Sequence, residues 1–194
     1  MAFFGLGSPA LQPPHLHGDG IYLRPGQMRD FQQWADLRAR SRTFLTAWEP
    51  VWPEDDLTSA AFRRRVRRTL LDMENEEAFA FLIFRDTDHK LVGGLTLGHV
   101  RRGVAQAATL GYWMGVPYAG QHYMSRAVRS ALHFAFGQLR LHRVEAACLP
   151  HNAASIRLLE TTGFEREGMA KSYLRIAGQW QDHVLFAQVD PSGS

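Results

Sequence analysis

The apolar and polar positions of the chain follow two periods, and the switches between them predict most of its elements. Ile21-Tyr22-Leu23-Arg24 alternates as a short strand, and residues 29–40 then space Phe31, Trp34, Ala35 and Leu37 or Arg38 as a helix with a polar outer face. Residues 57–74 read as a second helix that buries Leu57, Ala61, Val66, Leu70 and Met73. Residues 78–84 and 90–97 flank Asp86-Thr87-Asp88-His89 as two antiparallel strands, and a third strand runs from about residue 107 to 114. Beyond a loop, Met124, Ala127, Val128, Ala131, Leu132 and Ala135 recur at three- and four-residue spacing, which predicts a helix with one face on a core. Residues 143–149 supply another strand, 153–160 a helix, and 164–175 with 181–189 a final antiparallel pair around Gly178. The pattern is that of an α/β protein whose strand-rich sheet is covered by helices, without internal repeats.

Three stretches lack a period. The first twenty residues, with Pro9, Pro13, Pro14, Gly18 and Gly20, read as an irregular lead-in; one domain follows over 21–190, then a short tail over 191–194. The segment Phe44-Leu45-Thr46-Ala47-Trp48-Glu49-Pro50-Val51-Trp52-Pro53 places a carboxylate between two tryptophans and two prolines, so it cannot be regular helix. Loops of this kind carry binding residues on a rigid scaffold, or simply pack a long connection. Third, the apolar run ending at Met114 enters Gly115-Val116-Pro117-Tyr118-Ala119-Gly120-Gln121-His122-Tyr123 and opens directly into the amphipathic helix. The first N–H groups of a helix lack partners and carry partial positive charge, so this loop is a candidate cradle for a pyrophosphate.

Composition narrows the options. The 194 residues suit one domain that buries its own core, and a net charge of +3 fits an anionic ligand without naming it. A lone cysteine, Cys148, excludes an internal disulfide, and no apolar run is long enough to span a bilayer, so a soluble cytoplasmic protein is expected. The run Arg63-Arg64-Arg65-Val66-Arg67-Arg68 spreads around a helix; it is either a solvated face with local ion pairs or an acidic-surface contact, and without interleaved aromatics no nucleic-acid partner is expected. No His-Glu-x-x-His or zinc-spaced Cys/His set occurs, so no metal is expected. Cys148 reads as core filling rather than a nucleophile, and His183 as a packed or rim histidine.

Six pieces in order carry a family resemblance: Leu110-Gly111-Tyr112-Trp113; Tyr118-Ala119-Gly120-Gln121-His122-Tyr123-Met124; His142-Arg143-Val144-Glu145-Ala146; Asn152-Ala153-Ala154-Ser155; Gly163-Phe164-Glu165-Arg166-Glu167-Gly168; and Asp182-His183-Val184-Leu185. From about Ile21 to Val189 the chain resembles the GNAT superfamily of acetyl-CoA-dependent N-acetyltransferases, and within it the RimJ/RimL branch of ribosomal-protein-alanine N-acetyltransferases. The resemblance implies a single mixed, mostly antiparallel sheet with a splayed central strand pair and helices on both faces. It further implies that acetyl-CoA lies with its pantetheine arm in the splay, against the backbones of Trp113 and Met114. Its pyrophosphate would sit on Ala119, Gly120, Gln121, His122, Tyr123 and Met124.

The same resemblance implies roles for single residues. Asn152 is a helix N-cap by its own chemistry and in the family faces the pantetheine; Ser155 matches the hydroxyl assigned as the acid that meets the departing thiolate. For the base that frees the amine, Glu49 is the candidate, with Trp48 and Trp52 beside the acceptor. The strand glutamate of some relatives is replaced here by Tyr173 and its neighbours, which makes Tyr173 a secondary candidate. His122 stands where the family loop has a glycine; a positive φ there would strain it by about 1–3 kcal/mol, unless its ring donates to a phosphate. Arg126 replaces a frequent acidic residue and adds positive charge to the first helical turn. The expected reaction is direct attack of a neutral amine on the acetyl thioester, the amine being the N-terminus of a protein that starts with Ala or Ser, such as a ribosomal protein. Small amines such as amino acids, polyamines or antibiotics are the second class, a non-catalytic acyl-CoA or partner-binding module the third, and either a monomer or a homodimer is compatible.

Overall fold

The computed structural model describes residues 13–192. Eight strands make one sheet in the order β1-β2-β3-β4-β5-β6-β8-β7: β1 (Leu16–Gly18), β2 (Ile21–Arg24), β3 (Phe79–Arg85), β4 (Leu91–Arg101), β5 (Ala107–Met114), β6 (Arg143–Cys148), β7 (Glu165–Ile176) and β8 (Gln179–Val189). Every pairing is antiparallel except β5 with β6, whose connection passes through a helix as a parallel crossover requires. The helices are α1 (Phe31–Arg40), α2 (Arg42–Thr46), α3 (Ser59–Glu74), α4 (Tyr123–His133) and α5 (Ala153–Thr161).

The nearly unbroken apolar run of β3 reflects cover on both faces of the sheet. Phe79, Phe81 and Ile83 point into a core shared with Leu95, Leu97 and the Ala127-Val128-Ala131 stripe of α4. Leu82 and Phe84 point the other way, against Trp34 and Leu37 of α1 and Phe62 of α3. Helices on both faces, a mixed sheet and the strand positions agree with the sequence reading.

Three expectations are corrected. Part of the expected lead-in is ordered: Leu16 is buried and pairs with Leu23 in β1, a strand of three residues whose single apolar position left no period to read, while residues 1–12 lie outside the described residues. The segment 57–74 packs partly as expected, with Leu57, Val66 and Met73 half-buried against the cores, but the buried residue of α3 is Phe62, 4.9 Å from the Trp34 ring, while Leu70 is 42% exposed. The segment expected to be wholly irregular begins with α2, which ends at Thr46, four residues ahead of Pro50.

The arginines of α3 form a solvated face: Arg64 pairs with Asp55, Arg65 with Asp56 at 2.8 Å and Arg68 with Asp72. Such exposed pairs contribute little. None of the described helices is long and apolar enough to cross a membrane.

Two glycines make room for close contacts around β5, Gly115 for Leu37 of α1 and Gly94 of β4 for the Trp113 ring. A Cβ on Gly115 would lie 2.4 Å from Leu37 Cδ1, and one on Gly94 would lie 2.4 Å from Trp113 Nε1. Gly115→Ala and Gly94→Ala are each expected to lower unfolding free energy by about 1–3 kcal/mol through overpacking, whereas Gly111→Ala, which meets no atom within 4 Å, stays near wild type by the same denaturant titration.

Candidate functional site

The parallel ladder between β5 and β6 runs from Ala107–Arg143 to Leu110–Ala146 and stops. Gly111 to Met114 continue to pair with β4, and Ala147 and Cys148 with β8, so each strand turns one unpartnered edge toward the other. Backbone groups on such edges need hydrogen-bond partners, and an extended arm bearing amides can supply them as an added strand does. Trp113 and Met114 lie on this edge of β5.

At the end of β5 the chain is pinned by Gly115 N–H to Val92 O (2.9 Å) and Val116 N–H to the buried Ser41 Oγ (2.9 Å). It then makes a 3-10 turn over Val116–Tyr118. Gly120 has φ 74° and His122 φ 62° and ψ 8°, so both adopt the left-handed conformation. A Cβ on Gly120 would meet nothing within 4 Å, which leaves the loop open on that side. The first bond of α4 runs from Arg126 N–H to His122 O (3.2 Å), leaving the amides of Tyr123, Met124 and Ser125 ahead of it. The loop thus has the backbone of an anion cradle.

His122 therefore takes the positive φ that would strain a residue bearing a Cβ, and its ring is exposed and makes no capping bond. Its carbonyl explains how the conformation is held: it accepts from Ser125 Oγ (2.8 Å), Arg126 Nε (3.3 Å) and Arg126 N. The remaining arms of Arg126 donate to Gln121 O (3.1 Å) and to Asp19 O in the β1–β2 turn (2.7 Å). Arg126 therefore ties backbone carbonyls together.

On the other wall of the gap, Asn152 caps α5 as expected, its Oδ1 accepting from Ser155 N–H at 3.1 Å. This fixes the Ser155 backbone where β5 and β6 diverge. Ser155 Oγ lies 2.5 Å from Tyr112 Oη and also neighbours the Cys148 thiol. Burial pushes the Tyr112 phenol up to about 12, with the Ser155 contact opposing, and raises the Cys148 thiol likewise. Both remain protonated at neutral pH. Sequence reasoning quoted Tyr112 only inside a motif, because nothing local links it to a residue 43 positions away.

The opposite face of the sheet carries the residues expected near the acceptor. Arg38 is buried on α1 with its guanidinium 4.1 Å from the Trp52 ring centroid and 5.1 Å from that of Trp113. Its two terminal nitrogens donate to Glu49 Oε1 (3.0 Å) and Oε2 (2.7 Å), and Trp52 Nε1 donates to Oε2 (2.6 Å). Glu49, Arg38 and Trp113 line a cavity of about 290 Å³ together with Arg65, Leu95 and Thr96. Neither Trp48 nor Trp52 is in that lining: Trp52 is buried behind Glu49, while Trp48 is half-buried with its ring 5.5 Å from His151. Tyr173 is 47% exposed on a bulged part of β7, its ring edge-on to the buried His183 at 5.8 Å. The aromatic loop is joined to the β7–β8 hairpin by Ala177 N–H to Glu49 O (3.0 Å). Among the described residues there is no group of three or more His, Cys, Asp or Glu side chains that could hold a metal ion.

Comparisons with known proteins point the same way. The family model described as "Acetyltransferase (GNAT) domain" matches residues 21–165. The chain is 34% identical to "Probable N-acetyltransferase YjcK" of Bacillus subtilis (strain 168), over 91% of this chain and 97% of the relative. It is 35% identical to the ribosomal protein uS5-alanine N-acetyltransferase of Escherichia coli (strain K12), over 91% of each chain. Among solved structures, Mycobacterium smegmatis RimJ in complex with CoA-disulfide superposes with a TM-score of 0.85 at 29% identity, covering 93% of this chain and 88% of that one.

Two outcomes follow from this geometry. A left-handed residue with a Cβ costs about 1–2 kcal/mol and glycine's larger unfolded-state freedom returns part of that, so His122→Gly should gain about 0.5–1 kcal/mol by denaturant titration. For Tyr112, the folded-state value lies above that of the unfolded chain, near 10. Its contribution to stability is therefore complete below about pH 10 and is lost as pH rises toward about 12. Over that window wild type should lose more stability than Tyr112→Phe.

Proposed function

Because the chain belongs to the GNAT superfamily of N-acetyltransferases, we propose that it transfers the acetyl group of acetyl-CoA to the N-terminal α-amine of a cytoplasmic protein that starts with Ala or Ser. The relative acting on ribosomal protein uS5 alanine makes a ribosomal protein the leading acceptor. The observation that carries this reading is the place of Ser155: a hydroxyl at the point where two strand edges part, on the path an amide-bearing arm would take from the anion cradle. The open loop at Gly120, the free amides at the start of α4 and the unpartnered edges fit a diphosphate joined to pantetheine. When bound, acetyl-CoA supplies an activated acetyl thioester.

This chain's residues divide the rest of the work. The backbone of Trp113 and Met114 aligns the arm, Asn152 orients the first turn of α5, and Ala119 to Met124 hold the pyrophosphate. An N–C bond forms and the C–S bond breaks with its electron pair on sulfur. Ser155 gives its proton to that sulfur and regains one from the attacking nitrogen, so the exchange balances. An α-amine, with a pKa of about 7.7–8.0, needs only modest help to become neutral. Glu49 is the group that gives it: three donors occupy its carboxylate, which leaves a lone pair on Oε1 to accept through water. Tyr173 is the alternative acceptor on the hairpin side. Trp48 flanks the approach, and Trp52 holds Glu49 in place. A cavity of about 290 Å³ beside Glu49 has room for the end of a chain or for a small amine, two acceptors that the assay below separates.

The test is thiol release from acetyl-CoA against Ala- and Ser-initiated peptides, free amino acids and polyamines. Peptide-dependent release is expected, with Ser155→Ala lowering kcat by about 10²-fold. Glu49→Gln should lower kcat/KM by about tenfold below the amine's own pKa and converge with wild type above about pH 8. Release confined to small amines would refute the protein acceptor, and cofactor binding without release would refute catalysis.

A further inference from the structure

Tyr112 has no part in the transfer as described, yet its phenol is fixed against the hydroxyl that does. The side chain leaves β5 two residues beyond the last β5–β6 pair, on the face shared with α4 and α5, and is mostly buried there. Its Oη lies 2.5 Å from Ser155 Oγ. A phenol is a stronger donor than an alcohol, and an alcohol oxygen is the better acceptor. The proton between the two oxygens therefore belongs to Tyr112.

This assignment fixes the serine. A hydroxyl has one hydrogen and two lone pairs; with one lone pair taken by Tyr112, the hydrogen must rotate away from it. Ser155 Oγ also neighbours the Cys148 thiol, and Cys148 lies on the β6 edge of the gap. In a serine without the tyrosine, the hydrogen could point back to a helix carbonyl, as the Thr162 hydroxyl does toward Leu158 O at 2.8 Å.

We propose that Tyr112 is a positioning residue that, by donating to Ser155 Oγ, commits the serine's own hydrogen to the gap between β5 and β6 where the thioester sulfur departs. Tyr112 keeps its proton throughout; it sets the direction of a donor and does not relay. The inference rests on the reading of Ser155 as the donor to the thiolate, and the experiment separates the two.

Steady-state kinetics with acetyl-CoA and an Ala-initiated peptide are compared for wild type, Tyr112→Phe, Ser155→Ala and the double variant, with chemical denaturation confirming that each is folded. Tyr112→Phe is expected to lower kcat by about tenfold with KM for acetyl-CoA within about twofold. In the Ser155→Ala background the same change should cost nothing further, because its effect passes through the hydroxyl. Acetyl-selenocoenzyme A, whose leaving group needs no proton, should shrink the Tyr112→Phe loss; a mere packing role would leave it unchanged. Equal losses in both backgrounds, or an unimpaired Tyr112→Phe beside an impaired Ser155→Ala, would overturn the inference and leave the role of Ser155 standing. An unimpaired Ser155→Ala would overturn that role instead, and absence of thiol release with this peptide would overturn both.

Discussion

The parting of β5 from β6 after the Leu110–Ala146 pair is the constraint that the rest of the molecule serves. Leaving sheet edges open is costly unless something else bonds to them. Each neighbouring element fixes one side of the opening. β4 holds the far edge of β5 through Gly93 and Gly94, and β8 holds the far edge of β6, so neither strand can relax across the gap. The loop at the end of β5 and the N-terminus of α5 then bring an anion cradle and a hydroxyl to its two ends. The proposed site is thus a defect of the sheet that the surrounding pairing keeps rigid.

The face proposed to receive the acceptor is organised by a buried guanidinium. Arg38 has lost most of its water, and two things replace it: aromatic faces from Trp52 and Trp113, and a bidentate bond to Glu49. Because α1 carries the arginine and an irregular loop carries the glutamate, the pair anchors a segment that Pro50 and Pro53 keep out of regular structure. Removal of Glu49 would leave Arg38 with Asp56, at 3.8 Å, as its remaining anionic partner, and removal of Arg38 would leave the Glu49 carboxylate with the Trp52 Nε1 donor alone. Glu49 therefore combines a scaffold role with the chemistry assigned to it.

Much of this was legible from residue types. The apolar runs of β3 and β5, the alanine stripe of α4 and Asn152 as a cap all follow from local rules, and local rules are what a sequence displays. The features that escaped depend on contacts between distant segments. β1 exists because Leu16 finds Leu23 and α4, not because three residues have strand character. The burial of Phe62 on α3 was set by its fit against Trp34 rather than by the spacing of leucines. Arg38 was visible as a position on the inward stripe of α1, but its pairing with Glu49 was not. The contact between Tyr112 and Ser155 joins a strand to a helix across the gap itself, and only the fold brings them together.

The clamp on the His122 carbonyl has a consequence for how such a loop can change over time. In a loop that relies on glycine, the left-handed turn is secured by the absence of a side chain at one position. Here it is secured by donors from Ser125 and Arg126, so the requirement has moved downstream. The cost of a side chain at residue 122 is thereby coupled to residue 126: without the guanidinium the turn keeps its Cβ penalty and loses one of the three donors to its carbonyl. The effect of a change at either position therefore depends on the residue at the other.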